Sequence, residues 1–195
     1  MLRLILLGAV VLVALARGGS LANFAGLRLR WLSLVAAGFG TQLVIFTPLR
    51  GALGIGGAAV PALYALSMTL LTLWVALNRR VPGMVLMALG LLCNFAAIVA
   101  NDGYMPVSPA SASFAGTISR YQDEGGTRSN NSVASDEGVR LWLLTDILPV
   151  PQQVPFANVL SIGDVILTVG AGVLCYRTVR SPREAVMSDQ GMGTT

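Results

Sequence analysis

Apolar residues fall into five long runs: residues 2–16, 31–47, 58–77, 81–100 and 159–176. Each is at or near the ~20 residues (about 17–25) that a helix needs to cross a bilayer. Runs of this kind leave little choice of fold class, because backbone polar groups in hydrocarbon must be satisfied within the segment itself. The pattern predicts an all-α integral membrane bundle of about five transmembrane helices. Composition agrees: 54% of residues are apolar and 11% are charged. Soluble domains carry about a quarter charged residues, so this chain cannot cover a water-facing surface but can cover a lipid-facing one.

The formal charge of +4 comes entirely from arginine. The arginines sit in short segments beside the apolar runs, which marks them as topology signals and argues against nucleic acid as a partner. They also bear on the first run. Arg3, the apolar stretch after it and Ala14-Leu15-Ala16 resemble a signal peptide with its cleavage site. If the run is instead retained with its N-terminus outside, the inside segments hold Arg17, Arg28, Arg30, Arg79, Arg80, Arg177, Arg180 and Arg183. The short outside segments then hold Arg3 and Arg50. Cleavage would reverse this balance, so the expected topology has the N-terminus outside and the C-terminus inside. Residues 177–195 form a polar cytoplasmic tail. Asn78-Arg79-Arg80 makes a tight inner turn, with Pro82 near the first helical position of the fourth span.

Residues 101–158 form a long outer segment. Its Ser-, Gly- and Asn-rich middle, 108–138, is too poor in aliphatics to fold firmly alone. Residues 139–148 are apolar but too short to span. They are expected to form an interfacial helix capped by Ser135 or Asp136, with Trp142 at headgroup level. Gly54-Ile55-Gly56-Gly57 reads as a flexible outer turn, and Asn130-Asn131-Ser132 fits a glycosylation pattern of little weight.

The chain has no histidine and two cysteines, Cys93 and Cys175, at different expected depths. A disulfide is therefore not expected, and the usual metal ligand and neutral-pH proton shuttle are missing. Small residues four apart (Ala36 and Gly40, Ala37 and Thr41, Ala96 and Ala100) suit close helix approach. Gly83, Met87, Gly90, Asn94, Ala97 and Asn101 form a small and polar stripe on the fourth span. Ala157, Ser161, Asp164, Thr168, Gly172 and Cys175 form another on the fifth. Asp164 is the one acidic residue within an expected span, and ionisable residues at membrane depth are functional candidates. Gln42, Tyr64, Asn94 and Asp164, from four different spans, all fall roughly 7–9 Å below the outer edge at about 1.5 Å per residue. They make a candidate ligand-binding polar layer, with Asn101, Asp102, Asp146 and Ser161 as its outer rim. The same layer reads more readily as a hydrogen-bonded cluster that holds the bundle together, with a small pocket open to the outside as the functional alternative.

Asn101-Asp102-Gly103-Tyr104-Met105-Pro106-Val107, Thr145-Asp146-Ile147-Leu148-Pro149 and Ser161-Ile162-Gly163-Asp164 occur in this order. Together they resemble an uncharacterised family of bacterial polytopic membrane proteins, defined as a domain of unknown function. Asp102 stands where that family more often has glycine. The resemblance implies a bacterial plasma-membrane setting but no activity, no catalytic residue and no cofactor.

Three functions are compatible with these features. The favoured expectation is a non-catalytic accessory subunit of a larger membrane complex, or one that binds a lipid or quinone-type ligand, because catalytic side chains are scarce. A small-solute transporter or channel is disfavoured by the absence of a polar path through the inner halves of the helices. An outward-facing enzyme would need Asp102, Asp146 and Asp164 to share acid–base work or to hold a hard cation such as Mg²⁺; no metal site is assigned.

Overall fold

A computed structural model describes residues 2–57, 59–121, 128–129 and 132–181. Among these the α-helices are α1 (Leu2–Ala16), α2 (Leu32–Ile45), α3 (Leu49–Ala52), α4 (Ala59–Leu77), α5 (Met84–Ala100), α6 (Pro109–Phe114) and α7 (Ile162–Arg180). Helices α4 and α7, 19 residues each, are long and apolar enough to cross a membrane; α1, α2 and α5 are apolar but shorter. The five long helices pack in the order α2, α4, α5, α7, α1. Ile45, Met68, Leu71, Val75, Met84, Leu91 and Ile98 form the main core between them.

A tight turn and two amide clamps hold one end of the bundle. The turn, Val81-Pro82-Gly83-Met84, closes with a Met84 N–H to Val81 carbonyl bond of 3.1 Å. Gly83 there has φ +87°, a conformation a side chain would strain. Pro82 therefore lies in the turn before α5 rather than at its first position, and α5 begins at Met84. The Arg28–Arg30 segment is tied to the same end, since the Asn78 amide bonds the Arg30 backbone on both sides, at 2.9 and 3.1 Å. Asn23 accepts the role of a C-terminal clamp there, donating to the Val179 and Ser181 carbonyls at 2.8 Å each. Arg17, Arg79, Arg80, Arg177 and Arg180 share this arginine end.

The opposite end carries a small mixed cap. Strands β1 (Met105–Val107), β2 (Arg128–Ser129) and β3 (Ser132–Ala134) form a three-stranded sheet, with β1 parallel and β2 antiparallel to β3. Strands β4 (Leu148–Pro149) and β5 (Val159–Leu160) form a second, antiparallel pair that leads into α7. Val107, Ala112, Ala115, Tyr121 and Val159 make a separate cap core.

The cap revises three expectations. The fold is mostly helical but not all-α. The serine-rich middle is partly ordered, because α6 and β3 lay small residues against β1 and β5. The interfacial helix at 139–148 does not form: only a 3-10 turn, Trp142–Leu144, is present. Asn101 holds the Arg140 backbone through two 2.9 Å bonds, Leu141 turns left-handed (φ +52°), and Asp146 pairs with β1, so no helical ladder can propagate. Ser135 bonds the Glu137 carbonyl instead of capping a helix. Helix α7 starts at Ile162, three residues later than expected, because Val159 and Leu160 are used as strand, and it runs on to Arg180. The tail beyond 181 and Asn130-Asn131 lie outside the described residues.

Packing by small residues also differs from expectation. Gly40 meets nothing within 4 Å of an added Cβ, and Ala36 and Ala37 are exposed. Gly38 is the close-approach position on α2, where a Cβ would lie 2.9 Å from Leu71 of α4.

Candidate functional site

Helices α5 and α7 meet along a glycine seam. They run antiparallel, with Gly83 against Gly170 and Gly90 against Gly163. A Cβ on Gly83 would stand 2.1 Å from the Gly170 carbonyl oxygen, and one on Gly90 2.5 Å from that of Gly163. On α7 the two glycines are seven residues apart, two turns, which keeps them on one face; Gly90 meets Gly163 from α5, and Gly83 meets Gly170 from the turn just before it. The seam brings the two backbones together just below the cap, and Asn94 enters α7 there.

Asn94 is buried and uses both ends of its amide. Its Nδ2 donates to Asp164 Oδ1 at 2.8 Å, and its Oδ1 accepts from Ser161 Oγ at 2.7 Å. Ser161 and Asp164 also close a capping box at the start of α7: the Asp164 N–H donates to Ser161 Oγ at 2.9 Å, and the Ser161 N–H to Asp164 Oδ2 at 3.4 Å. Arg3 of α1 completes the cluster through an ion pair with Asp164 Oδ2. Asp164 is 6% exposed, so its charge is satisfied almost wholly by protein. Both of its carboxylate oxygens are committed.

Asp146 belongs to the same neighbourhood from the cap side. Its backbone is fixed to β1, with its N–H donating to the Pro106 carbonyl and its own carbonyl accepting from the Ser108 N–H, both at 3.0 Å. Its Oδ1 is shielded and has no hydrogen-bond partner among the described residues. Burial lifts its carboxyl to about 8, the nearby Asp164 charge adds to the rise, and Arg3 opposes it. Tyr121 of the cap core is raised mainly by burial and secondarily by Asp146. Asp146 thus changes charge near neutral pH beside a committed ion pair.

Of the eight sequence candidates, Asn94, Ser161 and Asp164 make one bonded cluster, and Asp146 acts on it electrostatically. Gln42 and Tyr64 lie at the α2–α4 contact: Gln42 Nε2 approaches Met68 Sδ at 3.8 Å, and Tyr64 stacks edge-on to Phe46. Equal depth did not bring the four together because α2 packs on α4, two helices away from α7. Asn101 is a structural clamp on Arg140. Asp102 is exposed at the helix end, and among the described residues no three His, Cys, Asp or Glu side chains stand together as a metal site. Sequence reasoning passed over Arg3 as a ligand of Asp164 and over the Gly163/Gly170 face. The matching seven-residue glycine spacings were the available signal.

A second feature lies on the other flank of α7. Gly172 faces Val10 of α1 across an open groove of about 460 Å³, lined by Val10, Thr168, Val169, Gly172, Val173, Tyr176 and Arg177. The glycine leaves its floor open.

Fold and site together define a mostly helical protein with two helices long and apolar enough to cross a membrane, and a polar cluster closed by a small mixed cap. The chain belongs to the family of unknown function DUF5317, whose pattern matches residues 26–176. Helix α1, with Arg3, precedes the matched range. No curated protein and no solved structure matches the chain.

Proposed function

We propose that the chain is a five-span protein of the bacterial plasma membrane, with its N-terminus and cap outside and its arginine end inside. In this reading α1, α2, α4, α5 and α7 are the spans, and the protein is a non-catalytic accessory subunit that holds a lipid or quinone-type molecule. The observation that carries the ligand is the open, mainly apolar groove between α1 and α7. Such grooves, with a few polar groups at one end, suit amphiphiles. The membrane setting draws on the helix surfaces, where Leu4, Leu12, Leu43, Leu66, Val85 and Val169 are all exposed. An apolar surface of that kind on five adjacent helices is costly in water and natural in lipid. Leu141, Trp142 and Leu143 are exposed on the cap, where an interface would accept them. Arg3, the main exception to an arginine-rich inside, is neutralised by Asp164, so it weighs little against this orientation.

Asp164 supports the non-catalytic reading because both its oxygens are occupied. The enzyme alternative keeps one specific observation in its favour, the proximity of Asp146 to Asp164. Mass spectrometry of the protein released gently from its native membrane tests the proposal. A reproducible lipid, quinone or stoichiometric partner is the expected result. A protein that emerges with none of these would sink it, and activity screens with Asp146→Asn would then follow.

A further inference from the structure

Arg17 Nη1 donates to the Tyr176 hydroxyl at 3.3 Å, and the Arg180 guanidinium donates to the Arg17 carbonyl. The charges of Arg17, Arg180 and Arg177 all act on that hydroxyl. Among the described residues the ion pair is Arg3–Asp164, at the other end of the same two helices. Three guanidinium groups thus lie around one hydroxyl with no carboxylate beside them among the described residues, and two of the groove-lining residues, Tyr176 and Arg177, belong to this cluster. From Thr168 to Arg177 the groove wall runs about 14 Å along α7 at ~1.5 Å per residue. That is close to half of a ~30 Å hydrocarbon core, the depth of one leaflet's chains.

An apolar slot one leaflet deep that ends in guanidinium groups with no carboxylate beside them among the described residues matches an anion joined to an apolar chain. We infer that the α1–α7 groove binds an anionic phospholipid of the adjoining leaflet, one acyl chain over Gly172 and the phosphate against Arg17, Arg177 and Arg180. Guanidinium forks suit phosphate oxygens better than a diffuse surface field does. The inference rests on the ligand-binding reading above and names the ligand class.

The test uses the full chain in detergent, exchanged against phosphatidylglycerol or phosphatidylcholine of identical acyl chains, with retained lipid read by native mass spectrometry. The expected result is preferential retention of phosphatidylglycerol by the unaltered protein. In Arg17→Gln/Arg177→Gln that preference should fall about tenfold or more, two charges being removed from an anionic ligand. Gly172→Leu should reduce retention of both lipids, since its Cβ meets only Val10 at 3.8 Å and the longer side chain enters the groove. Equal retention of the two lipids by the unaltered protein would overturn the inference while leaving an amphiphile-binding role intact. Displacement of the lipid by millimolar inorganic phosphate would also overturn it, in favour of a soluble anion. Retention of no lipid at all would overturn both this inference and the reading it rests on.

Discussion

At the scale of single residues, Asp146 has the clearest consequence. Its folded carboxyl titrates near 8, well above its ordinary 3.8. Between those values the unfolded chain has released the proton and the folded chain has kept it, so stability falls as pH rises across this window and levels off above it. Thermal unfolding in one detergent from pH 4 to pH 9 should show that decline, and Asp146→Asn should flatten it. A profile that is unchanged by the substitution would place the titration elsewhere. Asp102 is a second case. It follows the α5 C-cap Asn101 with φ +57°, while Gly103 donates to the Ile98 carbonyl at 2.9 Å. That is the helix-ending pattern in which glycine is preferred at the position Asp102 holds. Asp102→Gly is therefore expected to raise stability by up to about 1 kcal/mol, measured as a higher unfolding midpoint. Glycine was the expectation at this position from the sequence, but the backbone strain of Asp102 was not legible there.

Among the elements, the α5–α7 pair governs the site. Gly163→Ala would put a Cβ 2.0 Å from Asn94 Oδ1 and 2.7 Å from the Gly90 carbonyl oxygen. Overpacking against backbone costs about 1–3 kcal/mol or more, and here it also pushes Asn94 away from Asp164 and Ser161. A marked fall in unfolding midpoint is expected. Gly40→Ala is the control: its Cβ meets nothing within 4 Å, and alanine's helix preference should stabilise α2 by up to about 1 kcal/mol. Similar midpoints for the two variants would show that the seam does not hold the bundle. The stripe of Gly83, Gly90 and Asn94 was legible from helical spacing. On α7 the legible stripe, Asp164, Thr168 and Gly172, lies on the α1 side, with Asp164 also reaching Asn94, while Gly163 and Gly170, one and two residues away, meet α5. A helix with neighbours on two sides has two interfaces, and one stripe describes only one of them.

For the whole molecule, five spans with the cap outside would put Asp102 and Arg79 on opposite sides of the membrane. In a Cys93→Ser/Cys175→Ser background, a cysteine placed at the exposed Asp102 should react with a membrane-impermeant maleimide on intact cells. One placed at the exposed Arg79 should react only after permeabilisation. The reverse pattern would invert the topology, and reaction at both positions on intact cells would exclude five spans. The two shortest proposed spans are α2, with 14 residues, and α1, whose 15 residues reach about 22 Å, less than the ~30 Å core. The ends of α1 are anchored to α7 at Arg3–Asp164 and at Arg17–Tyr176, so local thinning of the bilayer would follow the protein.

Run length and charge placement, which are local properties, determined that helices form, roughly where they begin, and which end collects arginine. Asp164 stood out in the sequence because a lone carboxylate in an apolar run has few explanations. Which partners satisfy it was decided in three dimensions: Arg3 lies 161 residues away in the chain and Asn94 lies 70 away. The cap was likewise invisible to local reading, since its strands are two or three residues long and exist only because β1, β3 and Asp146 pair across distant segments. The order of helices separated Gln42 and Tyr64 from Asn94 and Asp164, because depth along a helix is written in sequence and lateral position is set by packing.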